Sequence, residues 1–282
     1  MPICRTQLRE HEHCDTDFHP VLFYALAFTI AWAAWMPLLL HKWEVLRLPI
    51  PFVITLFIGQ TVGAFAPVLS LFVIQRICRN PELINHVFRQ FQFKAVSIFW
   101  YLAPALVPIG ITTVLNLSHS VFSGDGLTVL RPEPVEELGW ALLAVIPFQF
   151  ILGMIGSPLG EEPGWRGYIL AGFARRRCAI AGSVIVASLW WIWHLPLFVV
   201  LEVNPTVYTF LAMAGHSLIL DSLFLLSGHN LLVAMLYHQG INTSFLFLIS
   251  KSETPSGSVA LLSVALITRT LVQLIYGRRT TW

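Results

Sequence analysis

Two adjacent carboxylates and an arginine stand between long apolar runs, in the stretch Pro158-Leu159-Gly160-Glu161-Glu162-Pro163-Gly164-Trp165-Arg166-Gly167-Tyr168. An ionisable group at the centre of a bilayer costs at least about 2.5 kcal/mol. Three of them in so short a run point to a functional centre rather than to packing alone. A glutamate shielded from bulk water can serve as a general base. Glu162 and Arg166 are four apart, the spacing at which an ion pair on a helix would hold the guanidinium and offset its burial. Downstream, His194 can hold or deprotonate a water molecule. His238 and Asn242, also four apart, share one helix face and can donate hydrogen bonds to a developing oxyanion. Gly160, Gly164 and Gly167 remove side-chain bulk around the acids, leaving room for close helix packing or for substrate.

The elements that must position these groups are membrane helices. Of the 282 residues, 56% are hydrophobic and only 11% charged, against about 25% charged in a soluble domain. The expected fold is therefore all-α: a polytopic membrane protein of about eight transmembrane helices around an intramembrane polar cavity. A polar tail over residues 1–19 precedes a single membrane domain over 20–282. The spans are expected at Pro20–Leu40, Phe52–Ile74, Val96–Leu117, Ala179–Val200, Val207–Leu226, Leu231–Ile249 and Ser258–Tyr276, with a broken fourth helix over Leu138–Arg177. A straight helix of that length would be ~60 Å long, twice the hydrocarbon thickness of ~30 Å. Pro147, Pro158 and Pro163 supply the breaks, and Pro163 suits a first helical position with Glu162 as its cap. Gly59 and Gly63 make a small-residue face for another helix. The first span has no small-residue cleavage site after it, so it reads as a retained helix rather than a signal peptide.

Loop charges orient the chain. With eight spans, Arg76, Arg79, Arg89, Arg175, Arg176 and Arg177 fall on one side and Lys42, Arg47 and Arg131 on the other, which predicts cytosolic N- and C-termini by the positive-inside rule. In that frame Glu162 lies ~20 Å and His194 ~22 Å from the inner surface, so two separate stretches bring polar groups to one height. The net charge of +2, with no basic stripe, argues against nucleic acid. The expected partners are the lipid bilayer and a peptide or prenylated-protein substrate. Cys4, Cys14, Cys78 and Cys178 show no CxxC spacing and read as reduced. His11, His13 and Cys14 in the tail read as solvated. His216 and Asp221 read as contacts within the bundle, His229 and Asn230 as a solvated turn, and Arg269 as snorkelling inward.

Three motifs in order carry a resemblance. Glu161-Glu162-x-x-x-Arg166, then Trp190-x-x-x-His194, then His238-x-x-x-Asn242, is similar to the pattern of the CAAX-prenyl-protease and bacteriocin-processing (Abi) family, over a motif core of roughly residues 140–245. The resemblance implies an eight-helix intramembrane endopeptidase. It implies that Glu161 and His194 activate water, that His238 and Asn242 form the oxyanion site, and that Glu162 and Arg166 support them. The aromatic position, commonly Phe in the family, is Trp190 here, which bears on the substrate cavity.

Other chemistries use the same residues. Two carboxylates and two histidines can hold zinc with an open position, but no His-Glu-x-x-His is present. The reading adopted is a metal-independent glutamate mechanism with no cofactor. Broken helices with midplane acids also suit an ion-coupled transporter, although no inverted repeat is visible. A non-catalytic membrane scaffold or immunity factor would keep the frame without the chemistry.

Overall fold

The computed structural model describes residues 18–47, 50–93, 97–124, 130–248 and 254–279; Cys4, His11, His13 and Cys14 of the tail lie outside the described residues. A chain this apolar must satisfy its backbone polar groups within each segment, which selects helices. In chain order they are α1 (Pro20–Lys42), α2 (Phe52–Ile77), α3 (Leu83–Phe88), α4 (Phe99–Ser123), α5 (Pro132–Leu138), α6 (Leu142–Ile155), α7 (Ser157–Glu162), α8 (Ala171–Arg175), α9 (Ala179–Trp193), α10 (Leu195–Val200), α11 (Val207–Leu226), α12 (Leu231–Phe247) and α13 (Pro255–Arg279). Among the described residues the only pairing of strand type is an isolated bridge between Leu130 and Leu248.

Among the described residues, seven stretches are long and apolar enough to cross a membrane. The expected span over Leu231–Ile249 is not one of them. The helix there, α12, has 17 residues, roughly 25 Å at 1.5 Å per residue. His238, Gln239, Asn242, Thr243 and Ser244 dilute its apolar character. It packs against α4, α6, α7 and α11, so its polar groups meet protein instead of lipid.

The fourth element is broken as expected, but at one of the three prolines only, beside Pro158 in the first turn of α7. Pro147 is accommodated inside α6, and the change of direction falls at Gly156, with φ −76° and ψ −116°. From Ser157 the path is continuous through Arg175. Pro163 has no N–H, and its ring crowds the carbonyl four residues back. The chain passes it by widening into a π-helix over Pro163–Leu170, a distortion found often at functional sites. The Glu162 side chain caps nothing; it is engaged in ion pairs.

Close approach explains the glycines. A Cβ at Gly160 would run into the Ala64 carbonyl and lie 2.8 Å from Phe65 Cα, and one at Gly164 would lie 2.6 Å from Pro67 Cβ. The motif helix therefore lies directly on α2. Gly59 and Gly63 admit α1 as expected: Trp35 donates its indole N–H to Gly59 O at 3.0 Å, and its ring fills the space a Cβ at Gly63 would take. Phe23, Trp35, Trp165 and Trp193 form the buried aromatic centre behind the site.

The two polar ends of the bundle are those the loop charges separate. At one end Arg176 lies 4.4 Å over the Phe18 ring, and Arg175 donates to His86 Nε2 at 3.2 Å. Burial, then Arg175 and Arg89, hold His86 below the usual imidazole range, which suits its role as acceptor. At the other end of α1, Lys42 pairs with Glu202 at 2.8 Å.

Candidate active site

The motif helix presents its two glutamates to different surroundings. Glu161, buried, forms part of the wall of a cavity of about 550 Å³ together with Ser157, Trp190, His194, His238 and Asn242. All four residues expected to act in catalysis, and Trp190, thus meet at one cavity, a size suited to a small ligand or a peptide segment. Glu161 Oε1 accepts from Ser157 Oγ at 2.7 Å, and its Oε2 accepts from Trp190 Nε1 at 2.7 Å. Each carboxylate oxygen thus has one strong donor, and the carboxylate is fixed in rotation.

His194 lies at the junction of α9 and α10, where the following Leu195-Pro196 starts a new helix. Its Nδ1 is 2.8 Å from Trp190 O. A carbonyl only accepts, so Nδ1 carries the hydrogen, and in the neutral ring Nε2 keeps a lone pair. The ring is wedged by Trp193 at 4.7 Å and by Phe198 at 5.7 Å between centroids. Position and tautomer are both set by the fold.

Glu162 points away from the cavity into a closed charge cluster. Its Oε1 accepts from Arg166 Nη1 at 3.1 Å and from His238 Nδ1 at 2.6 Å. Arg166 also donates from Nε to Asp221 Oδ1 at 3.0 Å and from Nη2 to Ser217 Oγ at 2.8 Å, and its guanidinium lies 5.1 Å from the Trp190 ring centroid. Glu162, Arg166, Asp221 and Ser217 are fully buried. The expected pair at four-residue spacing is present, and it is one edge of a larger network. His238 joins the two sides: Nδ1 meets the charge cluster, and Nε2 lies 3.2 Å from Ser157 Oγ.

The structure bears out some of the remaining expectations and corrects others. Asp221 is the second carboxylate of Arg166 as well as a bundle contact, and the reason is electrostatic: a guanidinium this deep needs more than one acceptor. Arg269 does not snorkel; it is 3% exposed and donates to Ser183 Oγ at 3.0 Å. Asn230 is buried rather than solvated; it caps α12 at Leu232 N and donates to Gln92 O at 2.8 Å. His216 remains a bundle contact, bonded to Tyr237 Oη at 3.1 Å, while also lining the cavity. Ser157 lies one residue before the stretch that marked the site, and sequence reading missed it. Cys78 and Cys178 are free thiols. Among the described residues, no three His, Cys, Asp or Glu side chains gather in a way that would hold a metal ion.

An all-helical membrane bundle whose internal cavity holds a carboxylate, two oriented histidines and an asparagine is the class of protein these observations define. Residues 134–244 match the family model described as Rce1-like, type II CAAX prenyl endopeptidase Rce1-like. The match covers all three motifs and agrees with the resemblance that they carry. No curated protein matches the chain.

Proposed function

We propose that this protein is an intramembrane endopeptidase that hydrolyses a peptide bond near the C-terminus of a prenylated CAAX-type or other membrane-associated peptide. Glu161 and His194 activate the attacking water, and His238 and Asn242 receive the oxyanion. The observation that carries the reading is the joint state of Glu161 and His194. The carboxylate is clamped by one donor on each oxygen, and the imidazole is locked with its basic Nε2 available. Such fixed groups need little reorganisation during reaction.

In this mechanism Glu161 and His194 hold the water between them and take its proton as its oxygen adds to the scissile carbonyl. His238 and Asn242 donate to the carbonyl oxygen as it gains charge. The proton then passes to the leaving amine as the C–N bond breaks. The cavity walls support an apolar substrate: Phe57, Leu197, Phe198, Met213 and Phe245 line it beside the polar group. Phe57, 70% exposed on the outer side of α2, belongs to the same wall. An opening there would let a lipid-anchored tail enter from the bilayer.

The test compares wild type with Glu161→Gln on a mixed panel of prenylated and unprenylated peptides, with products read by mass, with and without chelator. Cleavage by wild type, insensitive to chelator and reduced in Glu161→Gln by roughly the 10²–10⁴-fold attributed to a general base, is the expected result. Cleavage lost on chelation and restored by zinc would replace the metal-independent mechanism. Absence of cleavage by wild type across the panel would favour a scaffold role.

A further inference from the structure

Ser157 has no part in the machinery just described, yet it touches two of its members. It opens α7 directly after the bend at Gly156. Its Oγ lies 2.7 Å from Glu161 Oε1 and 3.2 Å from His238 Nε2. A serine hydroxyl has one hydrogen to donate and two lone pairs with which to accept. The shorter contact, to the carboxylate, takes the hydrogen, as short O–H···O⁻ bonds do. The contact with Nε2 then requires a hydrogen on that nitrogen.

Nδ1 of the same ring also carries one. It lies 2.6 Å from Glu162 Oε1, an oxygen that additionally accepts from Arg166 and is thereby held as a carboxylate acceptor. The His238 ring accordingly bears both hydrogens and a positive charge. A separate count agrees. The buried Asp, Glu, Lys and Arg side chains among the described residues are Glu161, Glu162 and Asp221 against Arg166 and Arg269. That set is one cation short, and an uncompensated buried charge is costly. An imidazolium at His238 completes it.

We infer that Ser157 is a positioning residue that bridges Glu161 and His238, keeping the first an ionised acceptor and the second a donor from Nε2. Trp190 contributes to the same end. Its indole N–H can only donate, so Oε2 of Glu161 is committed as an acceptor, and Oε1 is the oxygen left for Ser157 to control. The consequence for turnover rests on the proposed hydrolysis, in which Nε2–H of His238, directed at Ser157 Oγ in the resting site, is shared with the oxyanion as charge develops. The hydrogen arrangement itself rests on geometry and charge alone.

The experiment uses the full chain in detergent micelles, labelled with ¹⁵N-histidine, as wild type, Ser157→Ala and Ser157→Thr. His238→Gln serves only to assign the signal. The expected wild-type spectrum has hydrogen on both nitrogens of His238, retained in Ser157→Thr and altered at Nε2 in Ser157→Ala. On any peptide cleaved by wild type, Ser157→Ala lowers kcat roughly 10- to 100-fold, the worth of one hydrogen bond to a charged group. KM stays unchanged, and Ser157→Thr restores kcat. A wild-type His238 ring with a single N–H overturns the inference, as does an alanine variant with the wild-type ring signal and kcat. If wild type cleaves no peptide, the hydrolytic reading fails separately, and the ring signals still decide whether Ser157 bridges the pair.

Discussion

Glu161 and Glu162 are neighbours of identical type, and the fold gives them opposite tasks. Glu161 faces a cavity and is held by two neutral donors, Ser157 and Trp190. Glu162 faces the bundle and is held by Arg166 and His238 inside a closed ionic cluster. A carboxylate balanced by cations within hydrogen-bond reach is poorly placed to take another proton, because its charge is already stabilised by fixed partners. One held by neutral donors beside an open space retains reactivity toward what enters that space. In an apolar frame, the partner set rather than the residue type separates reactive acid from structural acid.

That contrast breaks most severely at its ionic side. Arg166→Met leaves Glu162 with His238 alone and Asp221 without its guanidinium. It should destabilise the fold by about 3–5 kcal/mol, the usual cost of removing one partner of a buried ion pair. The measurement is the thermal midpoint in detergent, and a wild-type midpoint would show that the cluster does not support the fold. A smaller effect is expected on the cavity side. Trp190→Phe keeps the ring over Arg166 and removes the indole N–H that holds Glu161 Oε2. Turnover should fall roughly tenfold or more, the value of one hydrogen bond to a charged group, with the thermal midpoint little changed. Equal kcat for the two aromatic residues would mean that the indole donor contributes packing only.

Much of this arrangement was legible before any coordinates. The helical frame follows from composition. The site follows from ionisable groups placed where they are costly, and the Glu162–Arg166 pair follows from helical spacing. The partners of Arg166 on α11 were not legible. Ser217 and Asp221 are more than fifty residues away, and the phase of one helix against another is set by packing that a single sequence does not state. A signal was nonetheless present, since an aspartate inside an apolar span needs a buried donor. Ser157 was overlooked for a different reason. Prolines drew the expected breaks toward Pro158 and Pro163, whereas the chain turns at Gly156 and thereby aims residue 157 at Glu161 and His238. Pro163, a break by local rules, is absorbed by π-helical widening that keeps the motif on one continuous element.

The division between the two glutamates is tested most directly by making the same isosteric change at each and reading two quantities, thermal midpoint and peptide cleavage. Glu161→Gln should keep a near-wild-type midpoint, because the Gln carbonyl oxygen can accept from Trp190 while its amide N–H donates to Ser157 Oγ, which can also accept, and should lose cleavage. Glu162→Gln should lower the midpoint, because Arg166 and His238 lose the charge that balances them. A folded Glu161→Gln protein that cleaves at the wild-type rate would contradict the assignment of Glu161 as the base and return Glu162 to consideration.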